Sequence, residues 1–177
     1  MAEILTEAQL LATFSGPQPE QIAMANLIRT LFSLKEGTIA AGEPAAGTLG
    51  EELSAEVLVG AAVALVSGTP KTITSLEITP GDWDVFGVVT FVPAATTSIT
   101  RLSQSISTTT NVHGNNKQRK QSKTAAVVPG ATDTPIADTP TVRINISATT
   151  TYYLIADATF TVDTLSAYGY LRARRVR

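Results

Sequence analysis

Asp82 and Asp84 flank Trp83, the single tryptophan, in the run GDWDVFGVVTF at 81–91. Two close carboxylates can serve as a general acid and base, or can begin a site for a hard metal ion. Acid–base work needs a cleft and a shifted pKa. A hard metal needs several further oxygens, and no third acid lies close in sequence. Strand alternation gives a plainer reading. Trp83, Val85, Gly87, Val89 and Phe91 fall on one face, and Asp82, Asp84, Phe86, Val88 and Thr90 on the other. The first set reads as a sheet's core face, with Gly87 making room for a bulky neighbour or marking a bulge. Asp82 then belongs to a turn and Asp84 to a solvated strand end. No catalytic residue and no metal ligand is predicted here.

His113 is the only histidine. A Ser-His-Asp triad would have to use it, yet no Gly-x-Ser-x-Gly elbow is present, and its setting, NVHGNN, reads as a polar surface loop. One histidine without cysteine makes a poor zinc site. Neither a Gly-x-x-x-x-Gly-Lys loop nor a Gly-x-Gly-x-x-Gly fingerprint occurs, so no cofactor is expected. Lys117, Arg119, Lys120 and Lys123 cluster among amides. They read first as a solvated loop tip and second as a contact for an anionic host-surface glycan. Without interleaved aromatics to stack bases, nucleic acid is not an expected partner.

The elements that must carry these residues are mostly strands. Only 16 % of the 177 residues are charged, and Thr, Ala, Ser and Val abound. No run approaches the ~18 apolar residues that span a bilayer, so no membrane insertion is expected. The acidic opening MAEILTEAQ lacks the features of a signal peptide. With no cysteine present, synthesis in a cytoplasm is the expectation. The net charge of −2 conceals an asymmetry: residues 1–84 carry three basic groups against eleven acidic, and 85–177 carry ten against four.

Residues 1–34 differ from the rest. A helix is expected from Pro19 or Glu20 to Leu34, with Pro19 suited to a first helical position. Ile22, Ala25, Leu27, Ile28, Leu31 and Phe32 make its apolar stripe. Residues 35–51, rich in Gly and Ala, read as a linker. From 52 to 177, strands are expected at 53–59, 61–66, 72–78, 81–91, 98–107, 142–147, 151–163 and 166–176, with turns between them. Residues 108–141 interrupt the series as a long polar segment, with a possible short strand at 125–128. Seven to nine strands without intervening helices predict a mainly β fold, an antiparallel jelly-roll sandwich.

Phe86 and Val88 put apolar side chains where a surface strand would be polar. Tyr168 and Tyr170 do the same near the C-terminus, sharing a face with Arg172 and Arg174. A second apolar face meets another layer or another subunit, so these six residues are the expected oligomer interface. Asp157, Asp163 and acids of the N-terminal half are the expected partners of the C-terminal arginines.

The runs TPGDWDVFGVVTF, TTTYYLIADATFTVDTLSAYGYLRARRVR and ILTEAQLLATFSGPQPEQ resemble small virion proteins of tailed bacteriophages, of the head-fibre, decoration or tail-fibre-like kind. The strand Ala167-Tyr168-Gly169-Tyr170 is also similar to those of complement globular-head and tumour-necrosis-factor-like jelly rolls. The resemblance implies a non-enzymatic structural protein of the virion, a homotrimer contacting the major capsid protein or tail proteins. Ile22, Leu27, Ile28, Leu31 and Phe32 would anchor it to the particle. A head fibre or decoration suits the short anchor-linker-knob plan better than a tail-fibre tip.

Overall fold

A computed structural model describes residues 23, 24, 26–28, 44–128 and 133–177. The chain forms two compact units, Met1–Gly50 and Glu51–Arg177. In the first, residues 23, 24 and 26–28 are helical, with Ile28 buried and Leu27 exposed. The expected anchor positions Ile22, Leu31 and Phe32 lie outside the described residues.

Among the described residues, the second unit holds ten strands: β1 (Glu52–Val57), β2 (Val63–Ala64), β3 (Lys71–Ile78), β4 (Gly81–Pro93), β5 (Ser98–Ser107), β6 (Arg119–Val127), β7 (Ile136–Asp138), β8 (Val142–Ile146), β9 (Thr150–Thr161) and β10 (Leu165–Arg175). One sheet runs β1-β10-β4-β7, with β2 also on β10 and β8 also on β4. The other runs β3-β9-β5-β6. All pairings are antiparallel. The chain changes sheet at each connection except β1 to β2, β5 to β6 and β7 to β8. That winding is the expected jelly roll.

Two inner faces supply the core. Trp83, Val85, Val89 and Phe91 of β4 meet Leu154, Ala156 and Ala158 of β9, with Leu171 and Ala173 of β10, and all are fully buried. The two-residue period of β4 and β10 sets these faces, with Trp83, Val85, Val89, Phe91, Leu171 and Ala173 inward and Phe86, Val88, Tyr168 and Tyr170 outward. Gly87 sits on the inner face because nothing larger fits. A Cβ there would lie 2.8 Å from Leu154 Cδ1 and 3.0 Å from the Tyr170 carbonyl oxygen. The pairing of β4 with β10 runs unbroken through Gly87, so the residue makes room for a neighbour and marks no bulge. Gly81 answers a different need, with φ at +141°, a conformation that L side chains rarely adopt.

Two sequence expectations are corrected here. The stretch expected as strands 53–59 and 61–66 is β1, a single 3-10 turn at Val59–Ala61, and the two-residue β2. Leu58 and Val59 are exposed, and Ala61 N–H bonds the Leu58 carbonyl at 2.9 Å. The polar segment 108–141 holds a full strand, β6, besides β7. Lys120, Gln121, Ser122 and Lys123 are all exposed, because β6 is the sheet edge and pairs only with β5. An edge strand solvated on both sides has no apolar period to announce it.

Candidate functional site

The outward face of the β1-β10-β4 sheet gathers all six residues of the expected interface. The register sets Phe86 opposite Arg172, Val88 opposite Tyr170, and Arg174 beyond them opposite Asp84. Phe86 and Tyr170 pack edge-on at 6.1 Å between ring centres. The Arg172 guanidinium lies 5.1 Å over the Phe86 ring and pairs with Glu52 at 3.1 Å. Phe86, Val88, Tyr168, Tyr170 and Arg172 are half-buried, and Arg174 is exposed. The result is a surface that holds Phe86, Tyr168 and Tyr170 and is edged by Glu52, Glu56 and arginines.

Asp82 is not the turn residue expected: it lies inside β4, paired with Asn145 of β8, while Asp84 stays partly exposed. Asp82 is only 5 % exposed. Its carboxylate receives Arg177 Nε at 2.7 Å and Arg143 Nε at 3.3 Å. Hydrogen bonds from Arg143 and then Arg177 hold its pKa down at about 2. Asp84 keeps a weaker contact with Arg143 at 3.5 Å. Trp83 donates its indole N–H to the Thr79 carbonyl at 2.9 Å. With guanidiniums filling the carboxylate, the pair is a structural clamp between the start of β4, β8 and the chain's last residue.

His113 is the larger departure. Its side chain is 9 % exposed. Nδ1 stands 2.7 Å from Ser105 Oγ and Nε2 stands 2.7 Å from Asp157 Oδ2. A carboxylate only accepts, so Nε2–H donates to Asp157, while Nδ1 and the Ser105 hydroxyl share the second hydrogen bond. Serine, histidine and aspartate are thus joined in one chain of hydrogen bonds. It is not arranged as a nucleophile. Ser105 has no exposed surface, and its oxygen also accepts the Gly114 N–H at 3.2 Å. Asp157 further takes Arg101 Nη2 at 2.6 Å, and Arg119 Nη2 lies 3.6 Å away. The chain fastens the β5–β6 connection onto the outward face of β9.

Asp157 is therefore spent on Arg101, His113 and Arg119, and is not a partner of the C-terminal arginines. Asp163 accepts from the Thr96 hydroxyl and the Thr164 N–H. The C-terminal arginines pair instead with acids of the N-terminal half: Arg172 with Glu52, Arg175 with Glu51 and Arg177 with Asp82.

The basic cluster divides. Lys120 bonds Asp138 of β7 at 2.6 Å, a contact that lowers the Asp138 pKa. Arg119 donates Nε to Ser103 Oγ at 2.8 Å on the opposite side of β6. Lys117 and Lys123 are exposed. Arg101, part of the same surface, was missed in sequence because its partners stand on other strands. Among the described residues, no group of three His, Cys, Asp or Glu is placed to hold a metal ion. No described helix is long and apolar enough to cross a membrane.

No protein-family model and no curated protein matches the chain. Among solved structures, the chain is similar to one from the T13 IBDV viral particle, at 11 % identity and a TM-score of 0.41, covering 80 % of this chain and 36 % of that one. A chain of infectious bursal disease virus Gx strain gives 12 % and 0.40, over 79 % of this chain and 36 % of that one. The VP2 subviral particle of the same virus gives 12 % and 0.38, over 80 % and 38 %. This chain thus spans little more than a third of theirs. The fold stands on its own strand order and register.

Proposed function

We propose that the chain is a non-enzymatic structural protein of a virus particle. More finely, we read it as a head fibre or capsid decoration protein of a tailed bacteriophage, a homotrimer held to the particle through residues 1–34. The observation that carries this reading is the outward face of the β1-β10-β4 sheet. Phe86, Val88, Tyr168 and Tyr170 lie together there half-buried, on the face of β4 and β10 turned away from the core residues Trp83, Val85, Val89, Phe91, Leu171 and Ala173. Continuous apolar surface of that kind serves association. Its ring of Glu52, Glu56, Arg172 and Arg174 offers both signs of charge for a copy to answer. The runs at 79–91, 149–177 and 4–21 that resemble phage virion proteins supply the particle context.

Quantitative mass spectrometry of purified particles tests the reading, counting this chain against the major capsid protein. A count that scales with capsid sites is expected. A count of a few copies would move the protein to the tail tip, and absence from particles would overturn the virion reading.

A further inference from the structure

The geometry points to a second surface, on the opposite sheet: a binding site for an anionic polysaccharide, made by Arg101, Arg119 and Lys123 on the outward face of β5 and β6. It does not depend on the particle reading above.

The register builds the site. Arg101 stands opposite both Lys123 and Thr159, Ser103 opposite Gln121 and Asp157, and Ser105 opposite Arg119. Residues two apart on a strand share a face at a spacing of roughly 7 Å, and neighbouring strands lie about 5 Å apart. The three cations therefore occupy one strip along the sheet edge. Asp157 is the carboxylate that Arg101 and Arg119 contact, and it is 2 % exposed. One carboxylate cannot balance three cations, so the strip keeps an excess of positive charge.

The guanidiniums are also fixed before any ligand arrives. Arg101 Nε bonds Thr159 Oγ1 at 3.0 Å and its Nη2 bonds Asp157. Arg119 Nε bonds Ser103 Oγ, and its Nη2 reaches Gln121 at 3.3 Å. Their side chains remain 23 % and 28 % exposed. Ordering that is already complete is not charged to binding. Guanidinium N–H groups in a fixed plane suit the paired oxygens of a carboxylate or sulfate. The polar neighbours between the cations, Gln121 and Thr159, can meet sugar hydroxyls, and no aromatic lies among them to stack a base. That favours a charged glycan over a nucleic acid.

The test uses the full chain and four immobilised probes: heparin for sulfate, alginate for carboxylate, dextran as a neutral polysaccharide, and single-stranded DNA. Retention on heparin or alginate but not dextran is expected, weakening as salt rises. Arg119→Gln with Lys123→Gln should weaken it about ten-fold or more. Lys120→Gln, on the other side of β6, should change it less than about two-fold. Lys123→Glu alone leaves the Arg119 contacts in place and should also weaken retention, which keeps the test valid should the double variant misfold. No retention on either acidic glycan, equal loss in Lys120→Gln, or tighter binding to DNA would each overturn the proposal.

Discussion

The Arg175 guanidinium lies 4.2 Å over the Trp83 ring while its Nε meets Glu51 Oε2 at 2.8 Å, with both charged side chains buried. Arg175 also donates to the Pro80 carbonyl and the Thr79 hydroxyl. One side chain thus binds the first residue of the β unit, the β3–β4 turn and the end of β10. Breaking a buried ion pair by removing one member costs about 3–5 kcal/mol. Arg175→Ala should lose that much in urea unfolding. Arg175→Lys should recover little, since an ammonium keeps the charge but not the planar stack or the fork of donors. A loss below about 1 kcal/mol would mean that the pair behaves as a surface contact.

Gly87 and Leu154 test the packing between the sheets. Gly87→Ala would set a methyl 2.8 Å from Leu154 Cδ1, and overpacking costs about 1–3 kcal/mol. Leu154→Ala alone should cost about 2–5 kcal/mol through the cavity it leaves. The double variant should cost clearly less than the sum, because the new methyl enters space that the leucine has vacated. Strict additivity in a double-mutant cycle would show that the close contact is not what excludes a side chain at 87.

Legibility in the sequence followed the range of the interactions. The inner face of β4 could be read directly, because Trp83, Val85, Val89 and Phe91 recur at every second position around Gly87 within one strand. The outward set Phe86, Val88, Tyr168 and Tyr170 could be read for the same reason. β6 could not, since Lys120, Gln121, Ser122 and Lys123 are all exposed and carry no period. The burial of His113 was equally hidden. Its acceptor Asp157 lies 44 residues away, and only the pairing of β5 with β9 brings them together. Asp82 looked like an ordinary turn residue because Arg143 and Arg177 come from 61 and 95 residues on.

Acid should weaken the clamp on Asp82. Its folded pKa of about 2 lies below the ordinary value of 3.8. A depressed carboxylate contributes stability that is fully present above the ordinary value and is lost as pH falls through the folded one. The contribution of Asp82 should therefore fade between about pH 4 and pH 2. Urea midpoints measured across that interval should fall less steeply in Asp82→Asn than in the parent chain. Identical slopes would rule out Asp82 as a source of acid sensitivity.

The hydrogen bonds of His113 give a local prediction. Gly114 N–H is held by Ser105 Oγ, and that oxygen is fixed by His113. His113→Ala should raise amide exchange at Gly114. The Ile106 N–H, bonded to the Gln118 carbonyl at 3.0 Å, should stay protected, because Arg101 still answers Asp157. Equal loss at both amides would indicate that the imidazole supports the whole β5–β6 pairing and not only the connection.

The outward aromatic face carries the last prediction. Phe86 is half-buried and touches Tyr170 and Arg172 of its own chain, so Phe86→Asp removes an edge contact worth about 0.5–1.5 kcal/mol beyond area and leaves the core intact. In a trimer built on this face, the same change would place a carboxylate in each subunit's contact, where desolvation and like-charge repulsion act together. Native mass spectrometry of the full chain should show trimers for the parent and monomers for Phe86→Asp, with circular dichroism unchanged. Lys123→Asp, on the opposite sheet, should leave the trimer whole. A trimer that survives Phe86→Asp would remove this face as the interface, and a parent chain that is monomeric at micromolar concentration would remove the trimer itself.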